Sequence, residues 1–249
     1  MANQTTTTTK TKDEPMGQVR QDYFDTLGTK LPSVTTILGR FKESGGLIYW
    51  AFKEGCTQGE ERGAALANGQ PVVAFNLYRD KAADAGTIAH ELVHGFLRGL
   101  EDQPMFDAID ADEMVKGKAI SAYGAFQSWM SSTKIEVNHA EVPLVSERYK
   151  FGGRLDAIGT LNGQRILLDW KTSNSVYVDY TLQLAAYKQL WDENYPDSPI
   201  EGGMHLLRFA KTEGDFGHHH FPQLDQELVA FLKMRDLFDL TKQCEKRVK

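Results

Sequence analysis

The apolar positions of this chain keep two different spacings, and the change from one to the other divides it. From Gly45 to about Ser132 they recur every three or four residues, the repeat of a helix face. Four stretches carry it: "GGLIYWAFKEG", "EERGAALANG", "NLYRDKAADAGTIAHELVHGFLRG" and "DADEMVKGKAISAYGAFQSWMSS". Beyond Ser132 the repeat shortens to that of strands. "KIEVNHAEVPLVSERY", "GGRLDAIGTL" and "QRILLDWK" predict three successive strands, and "YTLQLAAYKQLWDENY" predicts a helix ended by Pro196. "GGMHLLRFAK" predicts a fourth strand, "DFGHHHF" a fifth, and "LDQELVAFLKMRDLFDLTKQCEK" a closing helix. Helices followed by βββ-α-β and a last helix make an α/β sandwich around a mixed sheet. Residues 1–22 are Thr-rich and carry no apolar period, so they are expected to be a disordered tail. One domain is expected over 23–249, with a helical elaboration at about 45–132, a core at about 133–210, and a terminal strand and helix at 211–249.

Composition narrows the function classes. A chain of 249 residues, 41% of them hydrophobic, can bury a full core. No run of eighteen apolar residues occurs, and "MANQTTTTTKTKDEP" matches neither a secretory signal nor a transit peptide. A cytoplasmic protein with no membrane partner is the expectation. Cys56 and Cys244 are the only cysteines and form no C-x-x-C pair, which excludes a disulfide framework, an iron–sulfur cluster and a zinc ribbon. A net charge of −6 excludes coating nucleic acid through bulk positive charge but leaves a local site open.

Candidate chemistry begins where the third strand stops being apolar. Ile166, Leu167 and Leu168 run into Asp169, Trp170 and Lys171, and alternation puts Asp169 and Lys171 on one face. Asn162-Gly163 is the signal of a two-residue type I′ hairpin. With Leu161 opposite Gln164, counting back sets Asp156 opposite Asp169 and Arg154 opposite Lys171. Carboxylates paired in this way, with Cβ atoms roughly 4.5–5.5 Å apart, repel each other. A bridging divalent cation compensates them, and an oxygen-rich site suits Mg²⁺ or Mn²⁺. Glu141 can turn to the same face by alternation, and Gln183 and Tyr187, four apart, share one side of the next helix.

Asp156, twelve residues, then Asp169-Trp170-Lys171, with "QLAAY" at 183–187, resembles the PD-(D/E)xK nuclease superfamily. "GTIAH" at 86–90 extends the likeness to its RecB-like branch. "LPSVTTIL" at 31–38, followed by Trp50, is similar to phage-type exonucleases and the mitochondrial genome maintenance exonuclease. The resemblance covers about residues 30–210 and implies a restriction-endonuclease-like core. It implies that His90, Asp156, Asp169 and the Trp170 carbonyl hold Mg²⁺ or Mn²⁺, with Glu141 a further acid. Lys171 would act on water or on the developing charge, while Gln183 and Tyr187 would hold phosphate or the lysine. The implied activity is that of a monomeric DNA exonuclease, 5′ to 3′, on a free single-stranded end admitted beneath an arch of helices. Tyr49, Trp50 and Tyr78 are available there to stack bases. Relatives with four cluster-binding cysteines differ, because this chain cannot build an iron–sulfur cluster.

Two other readings compete. "HELVH" at 90–94 is a literal H-E-x-x-H, the motif of zinc metallopeptidases. Its extended form needs Gly at 97 and His at 100, where this chain has Leu97 and Leu100, leaving Glu113 as a possible third ligand. The peptidase reading also leaves the acids, Lys171, Gln183 and Tyr187 without a role. If the chain is a nuclease, His94 is expected to pack the helix or face substrate, and Glu91 to be a supporting or surface acid. A non-catalytic nuclease-fold DNA-binding protein is the third reading, and it fits poorly with acids and lysine all in place. His218, His219 and His220 are strand-like, only alternate ones sharing a face, and are expected at the surface.

Overall fold

A computed structural model describes residues 21–42, 59, 63–64, 67–69, 76–173, 175–209 and 216–248. The helix expected at 45–55, with Tyr49 and Trp50, lies outside them, as do Cys56, the tail to residue 20 and the side chain of Tyr78; of the helix expected at 60–69, residues 63, 64 and 67 are described as helical. Among the described residues no helix is long and apolar enough to cross a membrane.

The centre is a five-stranded sheet in the order β3-β4-β5-β6-β7. Its strands are Glu136–Ser146 (β3), Phe151–Leu161 (β4), Gln164–Thr172 (β5), Met204–Phe209 (β6) and Phe216–Phe221 (β7). All neighbours are antiparallel except β5 and β6. A parallel pair needs a crossover, and helix α5, Val178–Asn194, supplies it. Helices α1 (Val34–Phe41), α5 and α6 (Asp225–Arg247) cover one face, enclosing a core that includes Leu155, Leu167, Leu190 and Phe231. Helices α2 (Asn76–Leu97) and α4 (Glu113–Ser132) cover the other, over Ile166, Leu168, Trp170 and Phe126. β5 therefore feeds alternate side chains into two cores, which is why its apolar run is continuous.

Three small elements were not expected from periodicity. A hairpin of Tyr23–Phe24 (β1) and Lys30–Leu31 (β2) docks on β4, and Asp102–Asp107 (α3) joins α2 to α4. Two residues of the segment expected to be tail are among those described, and Gln21 Oε1 accepts a 3.1 Å hydrogen bond from Arg154 Nε. Gly152 permits the docking, since a Cβ there would lie 2.2 Å from the Tyr23 ring.

The β4–β5 turn has the left-handed residues that a type I′ hairpin requires, Asn162 at φ 51° and Gly163 at φ 81°. The expected register holds from Leu161↔Gln164 to Ala157↔Leu168 and ends there. The cause lies in β4. Phe151 and Leu155 face the α5 side, whereas Ala157 faces the α4 side and Ile158 the α5 side again, so the alternation slips by one residue around Asp156. On β3 the opposed position is Glu141, between the pairs Ala140↔Ala157 and Val142↔Leu155. Its backbone is left-handed at φ 55°, a conformation that costs a non-glycine residue about 1 kcal/mol. Two acids thus sit where two strands depart from regular pleating.

Candidate active site

Asp169 is the most deeply placed acid. It is fully buried, and neither carboxylate oxygen receives a hydrogen bond of regular geometry. Its close partner is Lys171, whose Nζ stands 2.6 Å from Oδ2 as a buried ion pair. Burial pushes its carboxyl up to about 7; the Lys171 charge opposes that and the neighbouring Asp156 adds to it. Asp156 is raised for the same first reason, burial, although its Oδ2 accepts the Trp170 amide at 3.1 Å. Burial opposes the charge on Lys171, but Asp169 and Asp156 outweigh it and hold the ammonium above its ordinary range.

Helix α2 brings His90 to this group from the opposite face. The ring packs edge-on to Trp170 at 6.4 Å between centroids and hydrogen-bonds to the Trp170 backbone. Burial first, then Lys171, lowers its pKa to about 4, so the imidazole is neutral at physiological pH. One turn on, His94 packs on the same indole at 6.0 Å, with Nε2 3.1 Å from Glu141 Oε1 and no hydrogen bond formed. Gln183 Nε2 donates to the Tyr187 hydroxyl at 2.7 Å, and both side chains border the same cleft. That cleft, of about 1450 Å³, runs from His90, Asp156 and Lys171 past Arg154 to Ser33 at the start of α1 and Arg235 and Lys242 on α6.

Two expectations are corrected. Arg154 is not opposite Lys171: the slip at Asp156 takes β4 away from β5, and Arg154 Nη1 instead binds Glu141 Oε2. Asp156 does not continue the ladder to Asp169; it turns its carboxylate onto the next amide of β5. Glu141 reaches the cleft, but through its left-handed backbone and not by plain alternation. The sequence reading passed over the His94–Glu141–Arg154 chain and Tyr180, whose ring centroid lies 5.8 Å from Lys171 Nζ. Tyr180 was findable, since it precedes Gln183 and Tyr187 by three and seven residues on one helix side.

Could these residues hold a divalent ion? Among the described residues, no three His, Cys, Asp or Glu side chains are already gathered around one point at ligating distance. The donor chemistry nevertheless fits. Asp169 offers two buried oxygens without hydrogen bonds of regular geometry, Asp156 stands beside it, and the neutral His90 ring lies near Asp169. Two buried acids beside a single lysine leave negative charge that a further cation would offset. A zinc peptidase arrangement is less well served. His90 is turned to Trp170 and Asp169 of β5 and His94 to Glu141, while Glu113 is solvent-exposed at the start of α4 and does not line the cleft.

The profile of the PD-(D/E)XK nuclease superfamily matches residues 74–246. The chain belongs to that superfamily. Its mixed sheet flanked by helices is the restriction-endonuclease-like arrangement expected of a PD-(D/E)XK nuclease. No curated protein matches the sequence significantly. Two solved structures are more distantly similar. One, from Eubacterium rectale and named provisionally as an exonuclease, is 14% identical over 61% of this chain, with a TM-score of 0.43. This chain spans 64% of its length. The other, SSO0001, is 18% identical over 62% of this chain and 72% of its own, with a TM-score of 0.32.

Proposed function

We propose that this PD-(D/E)XK nuclease is a monomeric, Mg²⁺- or Mn²⁺-dependent exonuclease that hydrolyses DNA from a free single-stranded end, 5′ to 3′. The observation that carries the reading is Asp169, an acid fully buried beside a second acid, with Lys171 as its one close cation and no hydrogen bond of regular geometry to its oxygens. Asp156, Asp169, His90 and the Trp170 carbonyl would hold the ion. When bound, it would supply Lewis-acid polarisation of the phosphodiester and a hydroxide at neutral pH.

The protein's own side chains do the rest. Lys171 keeps its proton at neutral pH, and with the acids otherwise neutralised its ammonium can face the charge that develops on the scissile phosphate. Glu141, pinned by Arg154, holds a further negative charge at the cleft wall and orients water there. The Gln183–Tyr187 pair gives a rigid amide and hydroxyl on the same cleft for phosphate oxygens. Exonuclease action is inferred from α2, whose His90, Glu91, His94 and Arg98 wall the cleft that holds Asp156 and Lys171. A strand beneath such a helix enters by threading.

The test uses end-labelled single-stranded DNA, linear or circular and of one sequence, with Mg²⁺, Mn²⁺ or EDTA. Progressive loss of the linear form from its 5′ end, survival of the circle and no cleavage in EDTA are expected. Circles cut as fast as linear DNA would make the protein an endonuclease, and cleavage in EDTA would end the metal-dependent reading.

A further inference from the structure

Tyr177 is a large side chain, one aromatic ring removed from Lys171, that neither the core nor the metal chemistry uses. It occupies the N-cap of α5, yet its side chain caps nothing. The residue is 52% exposed, and its ring meets the Tyr180 ring edge-on, at 5.5 Å and 83°. Tyr180 is different: it is half-buried against the α5-side core, and its ring lies 5.8 Å from Lys171 Nζ. Tyr177 is therefore braced along one edge by a fixed neighbour while a ring face stays open to solvent. Val178, 71% exposed, extends the apolar surface beside it. Packing accounts for Tyr180 but not for Tyr177.

We propose that Tyr177, braced by Tyr180, is a stacking platform for an unpaired base beside the scissile phosphate. This rests on the nuclease reading above and names the residue that makes the same site select bases already out of a duplex. The chemistry follows from position and shape. Lys171 borders the cleft and also meets the Tyr180 ring, so a strand whose phosphate is engaged by the lysine can pass on to Tyr177, one ring farther out at the start of the same helix. Aromatic rings bind any base through its π face, so the contact would be tolerant of sequence. A base held in a duplex has both faces covered by its neighbours and cannot use the platform.

Binding of single-stranded oligonucleotides, with Ca²⁺ replacing the catalytic ion to slow cleavage, is measured by fluorescence anisotropy for the parent, Tyr177→Ala and Tyr177→Phe. A set of oligonucleotides, each lacking one base, is scanned in parallel, and the cut site is mapped from products formed in Mg²⁺. Tyr177→Ala should weaken binding of the intact strand about tenfold, the scale of one lost base–aromatic stack, while Tyr177→Phe stays within twofold. In the parent, one abasic position within two nucleotides of the cut should weaken binding similarly, and in Tyr177→Ala that position should become silent. An abasic profile unchanged by Tyr177→Ala, or equal losses at every position, overturns the platform and leaves the nuclease reading standing. A parent that neither binds nor cuts DNA overturns both.

Discussion

Asp169 and His205 sit on neighbouring strands one ladder step apart, both almost wholly buried, and they are served in opposite ways. His205 Nδ1 is 2.7 Å from His218 Nε2, and its Nε2 is 3.3 Å from the Gly202 carbonyl. The rings of His218 and His220 stack on it at 4.9 Å and 4.4 Å. Asp169 has one close cation and no hydrogen bond of regular geometry. Burial is the first cause of both pKa shifts, taking Asp169 up to about 7 and His205 down to about 4. A buried polar group whose atoms are all met is a piece of structure. One left unmet is a place prepared for something else.

The largest effect that could break this contrast is catalytic. Lys171→Ala should lower DNA cleavage by about a thousandfold, the scale of losing one preorganised charge at a transition state, while Glu91→Gln stays within about threefold. Casein should survive both variants and the parent. The reverse order, with casein cleaved, would restore the zinc peptidase reading of "HELVH".

Next comes stability against pH in the metal-free protein, where the two groups should act with opposite sign. Asp169 is raised in the fold, from the ordinary 3.8 to about 7, so its contribution is full below pH 3.8 and lost as pH rises to 7. Asp169→Asn should remove that decline, about 4 kcal/mol across the window. His205 is depressed in the fold, from 6.5 to about 4, so its contribution is present above pH 6.5 and lost as pH falls to 4. His205→Leu should remove that fall, about 3 kcal/mol, without changing cleavage at pH 8. Denaturant melts at pH 4, 6 and 8 read both, and slopes of the same sign would contradict the contrast. The smallest effect is on metal choice. His90→Asp replaces an imidazole, better suited to Mn²⁺, with an oxygen donor, and should lower the Mn²⁺-to-Mg²⁺ activity ratio about threefold. An unchanged ratio would remove His90 from the metal site.

Much of the sheet was legible because its signals are local. Asn162-Gly163 set the turn, the apolar run 166–168 marked a strand buried on both faces, and strict helix spacing placed Gln183 beside Tyr187. What escaped depends on contacts distant in the chain. Two-residue strands such as Tyr23–Phe24 carry no period to read. The slip at Asp156 follows from packing against two cores, and counting a regular register through it sent Arg154 to Lys171 instead of Glu141. The acids and the lysine were visible as residue types. That Asp169 is the one left without hydrogen bonds was visible only in the fold.

Thermal melting at pH 7.5 with and without Mn²⁺, for the parent and Asp169→Asn, bears most directly on that acid. Mn²⁺ should raise the parent's Tm, because an ion bound only by the folded state stabilises it by mass action, and the rise should saturate with concentration. Asp169→Asn, already relieved of its buried charge, should melt higher than the metal-free parent and respond to Mn²⁺ little or not at all. Equal Mn²⁺ shifts in the two proteins would mean that the cation binds elsewhere and that the bare oxygens of Asp169 are not its site.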